Sequence, residues 1–111
     1  MFIFAPLTEI TWPVTIRVPL DGGKFNDVEV SIRYKRFTST EQAALIAECK
    51  NTGELLKKVI VGWDAEEFGN PDGSSIEFNE QNLESLIDVD YICRALRDGF
   101  FNASAGVLEK N

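Results

Sequence analysis

The residues best suited to chemistry lie in "KVIVGWDAEEFGNPDGSSIEF", residues 58–78. Asp64, Glu66 and Glu67 follow an apolar run there, and a loop rich in Gly, Asn, Pro and Ser comes next. Carboxylates in such a place could bind a divalent cation or transfer protons. A calcium loop, however, needs oxygen ligands at regular offsets, and this loop has Pro and Gly at positions where carboxylates are wanted. A phosphate-binding loop needs a Lys, which this loop lacks. The pattern predicts a turn between two strands, without a bound metal or cofactor.

Histidine is absent from the chain, and cysteine occurs only at Cys49 and Cys93. Histidine is the usual general base near neutral pH and the commonest metal ligand. Without it a Ser-His or Cys-His nucleophile cannot form, and a zinc site would have to use two cysteines and carboxylates. Both cysteines fall in partly apolar segments with a helical pattern, which is typical of reduced, half-buried thiols. The absence of histidine therefore argues against catalysis without ruling it out.

The negative charge is concentrated in one third of the chain. The net charge is -7, and residues 59–93 contain nine acidic side chains and no Lys or Arg. The other residues are nearly balanced, with nine acids against eleven bases. This distribution argues against binding to nucleic acid, which needs a basic surface. It permits a basic protein partner, attracted by the field of the acidic surface.

The length of 111 residues suits a single domain, residues 1–111. No apolar run approaches the ~20 residues that a membrane-spanning helix needs. The apolar start of the chain, "MFIFAPL", is too short for the apolar region of a signal peptide and has no basic residues with it. The sequence therefore predicts a cytoplasmic protein that does not contact a membrane.

Alternating apolar and polar residues predict a β-hairpin over residues 12–37. In "TWPVTIRVPL" every second side chain from Trp12 onward is apolar, and Val30 and Ile32 continue this alternation in "FNDVEVSIRYKRF". The "DGGK" between these stretches supplies the glycines of a tight turn. The two prolines of the first stretch cannot donate a hydrogen bond to a neighbouring strand, which indicates an edge strand.

A second hairpin is predicted over residues 59–78, because a β-branched run precedes Trp63 and alternation resumes at Ile76 and Phe78. Between the hairpins, Ser39 and Gln42 form a capping-box pattern that starts a helix expected to cover the first hairpin. A short helix over residues 54–58 follows it.

Two more helices are predicted beyond the second hairpin, one starting at Asn79 or Glu80 and one capped by Asp88 or Asp90. The fold class is then α+β, with two β-hairpins forming a small antiparallel sheet packed against about three to four helices. The predicted core includes five side chains: Trp12, Val30, Ile32, Trp63 and Phe78.

Phe100 and Phe101 are consecutive in the last predicted helix, so they point roughly 100° apart. One of them can enter the core while the other faces outward. This pair is the best local indication of a surface for a partner, and the alternative is a wide apolar stripe that belongs to the core. Gly99, beside the pair, is unfavourable inside a helix by about 1 kcal/mol relative to Ala.

The order of the segments resembles the small tail assembly chaperones of long-tailed bacteriophages and prophages. "TWPVTIRVPLDGG" is followed by "YKRFTSTE", then "VIVGWDAEEFG", "IEFNEQNLESLIDVDYICRAL" and the ending "EKN". Each motif alone is weak, and their ordered succession over nearly the whole chain carries the resemblance. The chain departs from the family pattern in its inserted "NPDGS" loop and in "NEQNL", where "S/T-x-E-N-L" is typical. The matching residues are Trp12, Pro19, Gly22, Gly23, Gly62, Trp63, Phe78, Asn82, Leu83, Leu86, Lys110 and Asn111.

The resemblance implies a non-enzymatic function in phage tail assembly. Such a chaperone binds the tape-measure protein, a long, largely helical and aggregation-prone chain, and keeps it soluble until tail-tube subunits polymerise around it. It also implies self-association, absence from the mature virion, and a location in the cytoplasm of the infected or lysogenic bacterial host. For this chain the first aromatic contacts to test are Trp63, Phe100 and Phe101.

Three other functions are alternatives. An acidic inhibitor that mimics DNA would carry its carboxylates at phosphate-like spacing along one surface. A small accessory subunit would bind another protein without chaperone activity. A small enzyme would use carboxylates such as Asp64, Glu66 and Glu67, but no sequence feature positions them against a nucleophile, base or cofactor.

The resemblance also predicts a longer, frameshifted form of the protein. Family members are often made in two lengths, the longer by a ribosomal slip near the stop codon. "EKN", residues 109–111, can be encoded by GAA-AAA-AAC, which contains the run of A that permits slipping. We expect the gene to keep this run and the shifted frame to stay open past the stop. A broken run such as GAG-AAG-AAT, read directly from the gene, would end this hypothesis.

Overall fold

The structure is a computed structural model that describes residues 1–5 and 7–108. Residues 109–111, on which the prediction of a frameshifted form depends, lie outside the described residues. The predicted α+β class is confirmed, with one three-stranded antiparallel sheet in the order β1-β2-β3. The strands are β1 (Glu9–Leu20), β2 (Lys24–Lys35) and β3 (Ile60–Trp63). The helices are α1 (Ser39–Glu48), α2 (Thr52–Val59), α3 (Glu80–Ile87) and α4 (Asp90–Ala105).

The predicted first hairpin is confirmed. Strands β1 and β2 pair without a shift of register from Glu9↔Lys35 to Leu20↔Lys24. A 3₁₀ turn at Asp21–Gly23 joins them, with φ of 79° at Gly22. This φ lies in the left-handed region, which glycine adopts without steric cost, so the turn requires the glycine that the sequence supplies there.

The core lies between one face of this hairpin and the helices α2 and α4. Strand residues at every second position are buried over Val14–Ile16 and Val30–Tyr34, as the alternation predicted, whereas Leu20 and Val28 nearer the turn are exposed. Val30 and Ile32 are confirmed as core residues, whereas Trp12, Trp63 and Phe78 are half-buried at its margin. The buried hydrophobic residues are Val14, Ile16, Val30, Ile32, Tyr34, Leu55, Leu56, Val59, Ile60, Phe68, Leu83, Leu96, Phe100 and Ala103.

Helix α4 approaches the sheet closely at Gly99. A Cβ placed on Gly99 would lie 2.5 Å from Val14 Cγ2 and 2.6 Å from Tyr34 Oη. The Tyr34 hydroxyl donates a 2.8 Å hydrogen bond to the Leu96 carbonyl oxygen on the same helix. Burial, with a smaller contribution from the Asp98 charge, raises the pKa of Tyr34 above its ordinary value. The glycine that is unfavourable for a helix therefore permits the contact between helix and sheet.

The predicted second hairpin over residues 59–78 is wrong. Strand β3 pairs with β2 through Ile32↔Trp63 and Arg33↔Gly62, and no strand follows it as a partner. After Trp63 the chain enters a 3₁₀ turn at Ala65–Glu67, because the Asp64 carboxylate accepts a 2.9 Å hydrogen bond from the Glu66 N–H. The rest of the segment forms a loop that contains a single isolated bridge, Gly69↔Ser75.

The aromatic side chains of this loop pack on Trp63 instead of extending the sheet. The ring centroids of Phe68 and Phe78 lie 4.8 and 4.9 Å from that of Trp63. The Trp63 indole N–H donates a 2.8 Å hydrogen bond to the Ile76 carbonyl oxygen. The alternation at Ile76 and Phe78 therefore reflects an extended chain that folds back onto one indole.

Helix α3 begins at Glu80, as predicted, whereas α2 begins two residues before the predicted start at Glu54. The capping box of α1 uses Thr38 and Glu41 rather than Ser39 and Gln42. Asn51 caps α2 and Asn79 caps α3, each accepting a hydrogen bond from a backbone N–H. Val89 precedes α4 and makes no side-chain cap, so neither Asp88 nor Asp90 has the predicted capping role.

Candidate partner-binding surface

The loop between β3 and α3 forms hydrogen bonds within itself. The Gly73 N–H donates to the Asn70 carbonyl oxygen over 2.9 Å, which closes a β-turn. The Asp72 carboxylate accepts hydrogen bonds from both the N–H and the hydroxyl of Ser74, at 2.8 and 2.6 Å. The bond from the Ser74 hydroxyl is the main cause that lowers the pKa of Asp72 below its ordinary value. The loop is a turn, as predicted, although the second of the two strands that it was expected to join does not form.

Two of the three acids that follow β3 bond to backbone groups. Asp64 caps the 3₁₀ turn, and Glu67 accepts a 2.9 Å hydrogen bond from the Ser31 N–H at the edge of β2. Glu66 is exposed. Within residues 1–5 and 7–108, no three His, Cys, Asp or Glu side chains are grouped so that they could hold a metal ion.

A groove of about 840 Å³ lies among α2, α3 and the start of α4. Its walls are mostly polar and charged, and Lys57 and Glu84 form a 2.8 Å ion pair across it. Both side chains are well exposed, so the pair adds little to stability. The groove has no apolar interior that would hold a small molecule, which usually requires a mainly apolar pocket.

The predicted contact residues fall into three different environments. Phe100 is buried, with 1% of its surface exposed, and it packs against Tyr34 and Phe37. In the folded domain it therefore belongs to the core, and its contact with a partner stays a prediction. Phe101 is 37% exposed and its ring centroid lies 5.3 Å from that of Phe100, so one member of the pair faces outward. Trp63 is half-buried beneath Phe68 and Phe78.

Comparison with known proteins gave no match. No family model, no curated protein and no solved structure is similar to the chain. Among the helices of residues 1–5 and 7–108, none is both long and apolar enough to cross a membrane.

The most exposed apolar side chains lie at the start of the chain. We call residues 1–5 the N-terminal apolar segment; its Phe2 and Phe4 are 86% and 81% exposed. A groove of about 580 Å³ separates this segment from the first turn of α1. Its principal lining residues are Phe2, Phe4, Leu7, Phe37, Thr38 and Glu41. From the sequence, this segment was tested as a signal peptide, and no contact surface was predicted there. The apolar composition of the segment was the signal that could have indicated one.

Helix α1 continues the same exposed surface. None of its residues is buried, and Leu45 is only half-buried at the margin of the core. The prediction that this helix covers the first hairpin is wrong, because α4 lies across β1 and β2 at Gly99. Ala43, Ala44 and Ala47 share one exposed side of the helix, and Ile46 is exposed beside them. Helix α1 and the N-terminal apolar segment together form the candidate partner-binding surface.

Proposed function

We propose that this protein is a tail assembly chaperone that binds the tape-measure protein, keeps it soluble and helps to recruit tail-tube subunits. In this proposal it acts in the cytoplasm of an infected or lysogenic bacterium, is absent from the mature virion, and associates with further copies of itself. The ordered motifs from Trp12 to Leu86 support the family assignment. The exposed apolar surface supports the binding activity.

The observation that carries the proposal is the exposure of α1 together with the N-terminal apolar segment. Large exposed apolar patches on folded domains mark sites of interaction with other proteins or membranes. Here the exposed side chains belong to a domain that also has a well-buried apolar core. Removing Phe2 and Phe4 from water on binding would contribute about 1.5–3 kcal/mol for each fully buried ring.

The shape of this surface suits a helical partner. An amphipathic helix can lay its apolar side in a groove and anchor at positions one turn apart. The groove beside α1 is lined by Phe2, Phe4 and Phe37, and Ala43 and Ala47 allow a second helix to approach α1 closely. Arg36 and Glu41 border the groove with opposite charges. A largely helical, aggregation-prone client is therefore a suitable occupant.

The test begins with the gene order, where we expect a tail-tube gene before this gene and a tape-measure gene after it. Co-expression with that tape-measure protein, followed by pull-down, is expected to recover both chains together. A gene lacking these neighbours, or a tape-measure protein that never co-purifies, would contradict the proposal.

The aromatic pair of α4 needs separate variants in this assay. We expect Phe101→Ser to leave the fold intact and to reduce recovery only if α4 contributes to the surface. Phe100→Ser is unsuitable for mapping, because removing a fully buried aromatic side chain costs about 3–5 kcal/mol of stability. An undiminished complex with Phe101→Ser would restrict the contact to α1 and the N-terminal apolar segment.

A further inference from the structure

The two edges of the β1–β2 hairpin differ in how they are protected. Along β1, Pro13 and Pro19 lack an N–H, so this edge cannot form a continuous ladder with another strand. Along β2, β3 pairs only with the stretch Ile32–Tyr34. No proline and no shift of register interrupts residues 25–29, which we call the open edge of β2. An unprotected edge presents backbone groups to which another strand can pair.

The hydrogen bond of Ser31 shows which backbone groups point outward. The Ser31 N–H donates to Glu67 Oε1 over 2.9 Å, and therefore it points away from β1. Outward and inward N–H groups alternate along an antiparallel strand, so the N–H groups of Asp27 and Glu29 also point away from β1. Glu67 satisfies the donor at Ser31, while Asp27 and Glu29 have no strand beside them in the described part of the chain.

The side chains beside the open edge define the partner that would fit. On one face Glu29 is exposed, and Glu67, held at Ser31 next to Glu66, adds negative charge. Asp27 on the same face is already paired with Arg17. On the other face the apolar side chain of Val28 is exposed. A strand added here would place every second side chain against carboxylates and the others against apolar surface.

We propose that the open edge of β2 binds an extended segment of another protein in which apolar residues alternate with Lys or Arg. The segment adds as a fourth antiparallel strand, and its basic side chains face Glu29 and Glu67. A second copy of the same edge fits poorly, because it would bring Asp27 and Glu29 against the same two acids, and like charges on opposed strands destabilise pairing. This inference does not depend on the proposed chaperone function, since it concerns a different surface.

The experiment uses the full chain and an acetylated, amidated peptide, Val-Lys-Val-Lys-Val-Lys-Val, with its Glu counterpart as the control peptide. We expect the Lys peptide to bind and the Glu peptide not to bind, and binding to weaken with added salt. Glu29→Gln should weaken it about two- to fivefold, the range for one exposed ion pair. Addition of the peptide should slow hydrogen exchange of the Asp27 and Glu29 N–H groups.

A matched pair of proline variants separates edge pairing from general charge attraction. Glu29 and Thr15 are cross-strand partners, and their N–H groups point to opposite edges of the hairpin. Glu29→Pro removes an outward donor of the open edge, and we expect at least about tenfold weaker binding. Thr15→Pro changes the β1 edge and should leave the affinity within about twofold.

Several results would overturn the inference. Equal binding of both peptides would show that charge does not select the partner, and equal losses in the two proline variants would show that binding is not at this edge. Self-association abolished by Glu29→Pro would identify a second copy as the occupant. If Glu29→Pro fails to fold, hydrogen exchange in the unmodified chain still tests the inference. Exchange of the Asp27 and Glu29 N–H groups that is the same with and without the Lys peptide would refute the inference.

Discussion

Replacing Gly99 with Ala is expected to lower the free energy of unfolding by about 1–3 kcal/mol, the usual cost of overpacking a core. The added methyl group would lie 2.5 Å from Val14 Cγ2 and 2.6 Å from Tyr34 Oη, both in the core. Val14 is a β-branched strand residue and Tyr34 is held by its bond to Leu96, so neither can move away easily. Thermal unfolding followed by circular dichroism measures the effect.

Gly62→Ala is the matched control for this substitution. No atom lies within 4 Å of a Cβ built on Gly62, which is in β3 and has no positive φ. We therefore expect little change, or a slight gain, in stability. At a helix position with free space, Gly→Ala would stabilise the protein by about 1 kcal/mol. The sign of the stability change in Gly99→Ala therefore shows whether that position is crowded. A more stable Gly99→Ala variant would contradict the close packing of α4 on the sheet.

Replacing both Phe2 and Phe4 with Ser is expected to weaken binding of the tape-measure protein at least about a hundredfold, since two rings then lose about 1.5 kcal/mol or more each. The melting temperature should stay the same, because both rings are already more than four-fifths exposed. Quantitative pull-down at several protein concentrations measures the loss. Phe25→Ser, which removes an exposed ring from the far end of the hairpin, is the matched control and should bind normally.

Local patterns were sufficient to predict the first hairpin. The alternation along β1 and β2 and the two glycines between them act over neighbouring residues, and the register follows from the turn. The second hairpin was mispredicted because its outcome depends on contacts that alternation does not encode. Phe68 and Phe78 contact Trp63, and Ile76 bonds to its indole, which keeps the chain off the edge of β3.

The role of Gly99 also could not be predicted from local sequence patterns. Helix propensity describes it as unfavourable, and only the position of Val14 and Tyr34 in the folded chain explains why a glycine is needed. The three aromatic residues that the sequence indicated as contacts, Trp63, Phe100 and Phe101, all lie outside the candidate partner-binding surface formed by α1 and the N-terminal apolar segment. The 100° separation of Phe100 and Phe101 allowed one ring to be buried and the other exposed, and the structure has this arrangement. The exposure of α1 could not be foreseen, because its apolar residues fit a buried helix equally well.

The most direct test of the chaperone proposal is the soluble fraction of the tape-measure protein, measured by centrifugation of lysates after expression with and without this chain. We predict that the tape-measure protein alone is mostly in the pellet, that co-expression moves it to the supernatant, and that the Phe2→Ser, Phe4→Ser double variant returns it to the pellet. A tape-measure protein whose soluble fraction is the same with and without this chain would contradict the proposal.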